Sequence, residues 1–230
     1  MDKQKISIII IAMDEEFKYF LSGLDVDYSI INIEGEKAYY FNKNDNDYLA
    51  LRGRVGKVST AFYLGKLSET YDIKRIFNIG TSGGVDRRLK IGDIVIANKV
   101  IYHDVDATAF NYELGQVPGF PLAYECDMEY LNNKAIYHDK TFKVHSGVIA
   151  SGDSFITRKN VKSVSIKRIA PMCVEMESAS VGQSAYLMKV PFIVIRSISD
   201  LVFKKHNADD SVNNLDLACM NNVKVLLSIL

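Results

Sequence analysis

Carboxylates follow two of the most apolar runs of the sequence. Asp14, Glu15 and Glu16 come directly after ISIIIIAM, and Asp200 ends the stretch FIVIRSISD. Carboxyl groups in such places suit general acid–base catalysis, in which one group gives a proton and another takes one. Two structural explanations stay open. Acids at the start of a helix also complement its dipole, and Asp200 could simply pair with Arg196.

A second pair of acids lies in CVEMES. Because side chains alternate along a strand, Glu175 and Glu177 are predicted to point to the same side, with Met176 opposite. Two such carboxylates beside apolar neighbours could grip the vicinal hydroxyls of a ribose. A structural pair at a helix start explains them equally well.

The glycine-rich turn NIGTSGG, residues 78–84, leaves a strand and could bring backbone amides close to a ligand. It also matches G-x-S-x-G, the nucleophile elbow of α/β-hydrolases, with Ser82 as the nucleophile. Asp200 and His206 could complete a serine esterase. However, that elbow requires a helix directly after the serine, whereas VDRRLKIGDIVIA indicates a short loop and a strand, so the esterase is the lesser alternative.

The stretch YHDVDATAF holds His103, Asp104 and Asp106, which are metal-ligand types. The other three histidines show no matching spacing. A polar strand edge or loop is therefore favoured over a metal site.

The elements that must position these groups alternate along the chain. Strands are predicted at Ile6–Ala12, Tyr48–Leu51, Arg75–Ile79, Asp93–Tyr102, Lys143–Ala150, Met172–Met176 and Phe192–Ser197, and helices at Glu15–Leu24, Val58–Tyr71, Glu177–Met188 and Asp210–Leu230. This order predicts one α/β domain over residues 1–230, with a mixed, mostly parallel central sheet flanked by helices. Ligands of such sheets bind at the carboxyl ends of strands.

Composition narrows the class of partner. Lys plus Arg and Asp plus Glu both number 28, so the chain lacks the basic field of a nucleic-acid-binding protein. No apolar run approaches the roughly 20 residues that span a membrane. Cys126, Cys173 and Cys219 are odd in number and far apart, which fits neither a disulfide framework nor a zinc site and indicates the reducing cytoplasm.

Taken in order, these stretches resemble the 5′-methylthioadenosine/S-adenosylhomocysteine nucleosidases of the purine nucleoside phosphorylase-like superfamily. The resemblance covers nearly the whole chain and is carried by IIIIAMDEE, RVGKVSTA, FNIGTSGGV, LKIGDIVIA, YHDVDATAFNYELGQVPGFP, SGDSFI, VEMES and VIRSISD. It implies hydrolysis of the N-glycosidic bond of both nucleosides to adenine and a thioribose product, in methionine salvage and S-adenosylhomocysteine removal.

The resemblance also implies residue roles. Glu16 would activate water, and Asp200 would protonate N7 of adenine. Glu177 would hold the ribose hydroxyls, with Glu175 and Met176 nearby. The remaining residues expected to bind substrate in this way are Val55, Ser82, Gly83, Phe155 stacking on adenine, Ile156 through its backbone, and Ser199, which would orient Asp200.

The family fold is a homodimer in which the DATAF segment reaches into the partner's site. By this resemblance Ala107, Phe110 and Pro118 would shape the pocket for the 5′ substituent. The partner molecule is a small nucleoside, and neither a metal nor an organic cofactor is implied.

Asp200 must be protonated when adenine departs, although a free aspartate is ionised at neutral pH. Burial at the end of an apolar strand is expected to raise its pKa. Arg196 would oppose this, so its side chain is expected to point elsewhere, which requires the strand pattern to break before Asp200. Arg54 could meet a phosphate, which keeps a phosphate-dependent purine nucleoside phosphorylase as an alternative, beside a non-catalytic nucleoside-binding protein.

Overall fold

Strands and helices alternate through most of the chain. The computed structural model describes residues 3–161 and 164–230. The strands are β1 Lys5–Ile11, β2 Tyr28–Ile33, β3 Glu36–Lys43, β4 Asn46–Arg52, β5 Asp72–Gly84, β6 Ile94–Tyr102, β7 Tyr124–Glu125, β8 Val144–Ser151, β9 Cys173–Glu175 and β10 Phe192–Leu201. The helices are α1 Asp14–Gly23, α2 Lys57–Thr70, α3 Met128–Asn132, α4 Val164–Ile169, α5 Ser178–Met188, α6 Asn207–Asn213 and α7 Leu215–Ile229.

These strands form one mixed sheet. β5 lies parallel to β1 and β10, and β1 lies parallel to β4, which continues antiparallel through β3 to β2. On the other side, β10 pairs with β6, β6 with β8, β8 with β9, and β9 returns to β5. Five strands therefore close a circuit, and β5 belongs both to this circuit and to the open part of the sheet.

Helices cover both sides of the sheet. α2 and α5 contribute Leu64, Leu67 and Ala179 to one buried cluster, and α1 and α7 contribute Phe20 and Leu226 to another. Strands between two such layers need apolar residues on both faces, which is why β1 contains the continuous apolar run 8–11 and β10 the run 192–195. The mixed α/β fold predicted from sequence is confirmed.

The sequence-predicted strands are all present, but several features differ. The β2–β3 hairpin was missed because β2 is largely exposed and its apolar residues do not alternate clearly. Its turn is made by Glu34 and Gly35, both with positive φ. The predicted last helix is divided at Asn214 into α6 and α7. Within the described ranges, no helix is long and apolar enough to cross a membrane.

Candidate active site

A pocket lies at the carboxyl ends of β1, β5 and β10, the three parallel neighbours at the centre of the sheet. Its walls come from Ala12, Met13, Glu16, Val55, Thr81, Ser82, Gly83, Ser154, Phe155, Ile156, Val174, Glu175, Met176, Glu177, Ser199, Asp200 and Ser211. The polar groups that the sequence places after separate strands thus meet in one cavity, as expected for ligand sites of parallel sheets.

Glu16 enters the pocket from the first turn of α1. Its carboxylate accepts hydrogen bonds from the backbone N–H of Thr81 at 2.7 Å, the Thr81 hydroxyl at 3.0 Å and the backbone N–H of Met13 at 3.2 Å. Burial raises the pKa of Glu16, although Arg196 and these donors oppose the rise. Glu16 is therefore a fixed, buried acceptor whose proton affinity exceeds that of a free glutamate.

Asp200 enters from β10 at a β-bulge. Ile198 pairs with Ser82 and Asp200 with Gly83, so Ser199 is the extra residue of the bulge. The Ser199 hydroxyl donates to Oδ1 of Asp200 at 3.0 Å. Asp200 is only 1% exposed, and burial raises the pKa of its carboxyl.

Glycines of β5 make room for both acids. A Cβ on Gly80 would lie 3.0 Å from Oε1 of Glu16, and one on Gly83 would lie 3.2 Å from Oδ2 of Asp200. Both distances are tighter than ordinary van der Waals contact. The predicted turn over residues 78–84 is thus the end of β5. Its glycines make room for the two acids, and Gly83 also lines the pocket.

Arg196, Glu175 and Glu177 form what we call the buried cluster. Nη2 of Arg196 lies 2.5 Å from Oε2 of Glu175 and 3.8 Å from Oε2 of Glu177. Burial opposes ionisation of Glu175, but Arg196 and nearby hydroxyl and amide donors outweigh it and lower its pKa. Burial and the charge of Glu175 raise the pKa of Glu177 to about 8. Glu177 is therefore a neutral carboxylic acid at pH 7.

The buried cluster resolves two expectations from the sequence. Arg196 points to Glu175 and Glu177, away from Asp200, and the bulge at Ser199 is the predicted break in the strand pattern. Glu177 is not a strand residue: β9 ends at Glu175, and Glu177 precedes the first residue of α5. The two acids are brought together by Arg196 and not by strand alternation.

Eleven of the fourteen residues proposed from sequence line the pocket. The other three, Ala107, Phe110 and Pro118, do not. They lie on the segment around the short 3₁₀ helix Thr108–Phe110, where Phe110 is 77% exposed. Their predicted contact with a 5′ substituent is in the site of a partner subunit and stays a prediction.

The alternative in which Ser82 is the nucleophile of an α/β-hydrolase elbow is wrong. β5 continues through Ser82 to Gly84, so no helix follows the serine as that motif requires. His206 is an exposed residue beside Asp209, with 3.6 Å between Nδ1 and Oδ2. Among the hydrogen bonds of residues 3–161 and 164–230, Asp200 is held by Ser199 and Asn207 and not by a histidine.

The remaining charged candidates have structural partners. Arg54 does not line the pocket but pairs with Glu36. Asp104 accepts a hydrogen bond from Lys57 Nζ at 2.7 Å and Asp106 accepts one from the Thr108 hydroxyl at 2.7 Å. The two aspartates thus hold the YHDVDATAF segment in place.

Comparisons with known proteins agree with this geometry. The family model described as the phosphorylase superfamily matches residues 7–230. A 5′-methylthioadenosine/S-adenosylhomocysteine nucleosidase of Staphylococcus haemolyticus is 39% identical over 196 residues, covering 84% of this chain and 85% of that protein. The chain belongs to this nucleosidase family.

Solved structures of the family match the fold over nearly its whole length. The Colwellia psychrerythraea nucleosidase, in complex with adenine, has a TM-score of 0.88 and 30% identity, covering 99% of this chain and 95% of that one. The S. pneumoniae nucleosidase, with a transition-state inhibitor, has a TM-score of 0.88 and 29% identity, with 98% of each chain covered. The recognition made from eight sequence stretches is confirmed.

Two residues beside the acids of this nucleosidase were missed from sequence. Thr81 holds Glu16 through two hydrogen bonds, and the Asn207 side chain donates to Oδ2 of Asp200 at 2.8 Å. Thr81 lies inside the quoted stretch NIGTSGG and could have been noticed as the polar residue before Ser82. Asn207 lies in KKHNADD, which carries no local signal, because only the folding of α6 against β10 brings it to Asp200.

Proposed function

We propose that this protein hydrolyses the N-glycosidic bond of 5′-methylthioadenosine and S-adenosylhomocysteine, releasing adenine and the thioribose product. Two buried carboxyl groups, Glu16 and Asp200, in the walls of one pocket are the observation that carries this proposal. The family relatives named for this activity support the choice of substrates. Its place in metabolism would be methionine salvage and removal of S-adenosylhomocysteine.

Asp200 would act as the general acid. Adenine is a poor leaving group as an anion, so its departure needs a proton on the ring. Asp200 gives its proton to N7 while the electrons of the C1′–N9 bond move into the base. The raised pKa keeps this carboxyl protonated at a higher pH than a free aspartate.

Glu16 would act as the general base. The sugar left behind resembles an oxocarbenium ion, and a water attacks its C1′ from the side opposite the base. Glu16 takes a proton from that water as the new C–O bond forms. Each proton transfer of this kind typically contributes about 10² to 10⁴ in rate.

The other pocket residues suit a nucleoside. Glu177, neutral because its pKa is about 8, can both donate to and accept from ribose hydroxyls. Phe155 is 47% exposed and presents an apolar surface for a purine ring. The backbone of Ile156, which lines the same cavity, would contact the edge of the base.

The charge of the pocket favours water over phosphate as the nucleophile. Glu16, Glu175 and Glu177 line the cavity, whereas no Lys or Arg is among its described lining residues. The buried guanidinium of Arg196 is already paired with Glu175. The exposed guanidinium of Arg54 is paired with Glu36. A phosphate dianion would therefore find no unpaired cation among the described lining residues to balance its charge.

We also propose a cytoplasmic homodimer. Ala107, Phe110 and Pro118 would reach the partner's pocket and contact the 5′ substituent. The exposed ring of Phe110, outside the pocket of its own chain, supports this arrangement.

Adenine release with and without phosphate tests the reaction. We expect release from both nucleosides without phosphate, and a strict requirement for phosphate would overturn the hydrolase. Asp200→Asn should lower kcat by about 10² to 10⁴ while the protein stays folded. Near-normal turnover in this variant would refute the role of Asp200. A serine-directed covalent inhibitor should leave the activity unchanged.

A further inference from the structure

Asn207, the first residue of α6, touches two walls of the pocket at once. Its side-chain nitrogen lies 2.8 Å from Oδ2 of Asp200 and 2.9 Å from the backbone oxygen of Ile156. Both partners are acceptors, which identifies the atom facing them as the amide nitrogen with its two hydrogens. Asn207 is 2% exposed, so these bonds are made away from water.

A carboxyl group can rotate about its Cβ–Cγ bond unless both of its oxygens are held. In Asp200 the hydroxyl of Ser199 holds Oδ1, and Asn207 holds Oδ2. Ser199 is a neighbour in the chain, whereas Asn207 comes from a different element. The two donors together fix the plane of the carboxyl relative to the pocket.

We propose that Asn207 is a positioning residue that locks the carboxyl of Asp200 to the carbonyl of Ile156. The acid and the backbone that faces the purine edge are then held in one rigid arrangement. Misplacement of a reacting group by about 1 Å can cost as much as 10² in rate. This proposal rests on the proposed role of Asp200.

A second consequence concerns the protonation of Asp200. A donor to a carboxylate stabilises its ionised form, so Asn207 opposes the rise in pKa that burial causes. Asp210 on α6 raises this pKa through its charge. The other charged groups around the pocket are Glu16 of α1, Glu175 of β9, Glu177 before α5 and Arg196 of β10; His206 and Asp209 are exposed at the start of α6.

The test compares Asn207→Leu and Asn207→Ala with wild type, using 5′-methylthioadenosine over a range of pH. The alkaline limb of kcat/KM reports the acid of the free enzyme. Removing the donor raises that pKa, so the limb should move to higher pH by about half a unit to one unit. At pH 7, kcat/KM should fall about tenfold. Asn213→Leu, an exposed asparagine of the same helix, serves as the matched control.

A limb that coincides with that of wild type, with only a lower unfolding midpoint, would reduce Asn207 to a structural role and overturn the proposal. Two variants of different size guard against one that fails to fold. Failure of the proposed function would look different, because wild type itself would release no adenine or Asp200→Asn would remain active.

Discussion

Two arginine–glutamate clusters of this protein have opposite compositions. In the buried cluster, one arginine, Arg196, serves two acids, Glu175 and Glu177. A second group, here called the rim cluster, consists of Glu36, Arg52 and Arg54. Arg52 and Arg54 line a cavity that shares Ala12, Met13 and Val55 with the pocket. In the rim cluster, two arginines contact Glu36, and Arg52 also pairs with the exposed Asp14.

Burial and the number of nearby cations together set the pKa of each carboxyl. In the rim cluster, hydrogen bonds from Arg52, and then from Arg54, outweigh burial and lower the pKa of Glu36. In the buried cluster, burial and then the charge of Glu175 raise the pKa of Glu177 to about 8, against the opposing charge of Arg196. Burial beside a carboxylate that already holds the arginine thus favours the neutral form of Glu177.

The two clusters also differ in their exposure to solvent. Arg196 is 1% exposed, whereas the side chain of Arg54 is 60% exposed. Ion pairs in water contribute little, while breaking a buried pair leaves a charge without a partner. We therefore expect the arginine–glutamate pairs of the buried cluster to contribute more to stability than those of the rim cluster.

Arg196→Met should have the largest effect. It leaves the ionised Glu175 buried without its cation, so we expect the free energy of unfolding at pH 7 to fall by about 3 to 5 kcal/mol. Urea unfolding measures this change, with Arg54→Met as the rim control. Equal shifts of the urea midpoint in both variants would contradict the larger contribution of the buried cluster to stability.

Glu177→Gln should flatten the dependence of stability on pH. The pKa of Glu177 is higher in the folded protein than the ordinary 4.5, so its contribution is complete below about 4.5 and lost as pH rises through about 8. Each pKa unit corresponds to about 1.4 kcal/mol. The free energy of unfolding, measured with urea, should be lower at pH 8.5 than at pH 5 in wild type. In the variant this decrease should be smaller, by a few kcal/mol at most. Equal losses would contradict the neutral Glu177.

Glu175→Gln should lower the pKa of Glu177. It removes the negative neighbour that raises the pKa of Glu177 and leaves Arg196 to that acid alone. The pKa of Glu177 should then fall below about 8. Carboxyl NMR titration of wild type and variant measures the difference, and an unchanged titration would show that burial alone sets this pKa.

Arg54→Gly should have the smallest effect. Arg54 has φ of 58°, a left-handed conformation that glycine adopts without strain, and this gain offsets the loss of an exposed ion pair. The urea midpoint and KM for 5′-methylthioadenosine should stay nearly unchanged at low and high salt. A large rise in KM would instead assign Arg54 to the substrate.

Much of the fold could be predicted because the informative signals are local. The run Ile8 to Ile11 is buried on both faces of β1, and Phe192 to Ile195 likewise in β10, so continuous apolar sequence was sufficient to locate these strands. The β2–β3 hairpin lacked such a signal because most of β2 faces solvent. The family resemblance implied the residues of the site, and eleven of those fourteen line the pocket.

By itself, the sequence determined the α/β architecture, the family and the acids that follow the strands, because these depend on residue types and on their order along the chain. Only the tertiary structure decided which acid is neutral and what holds each one. Arg196 meets Glu175 across 21 positions, Gly56 donates to Glu177 across 121, and Thr81 to Glu16 across 65. Proton affinity in a buried site depends on such distances between charges and donors, and these exist only after the strands have paired.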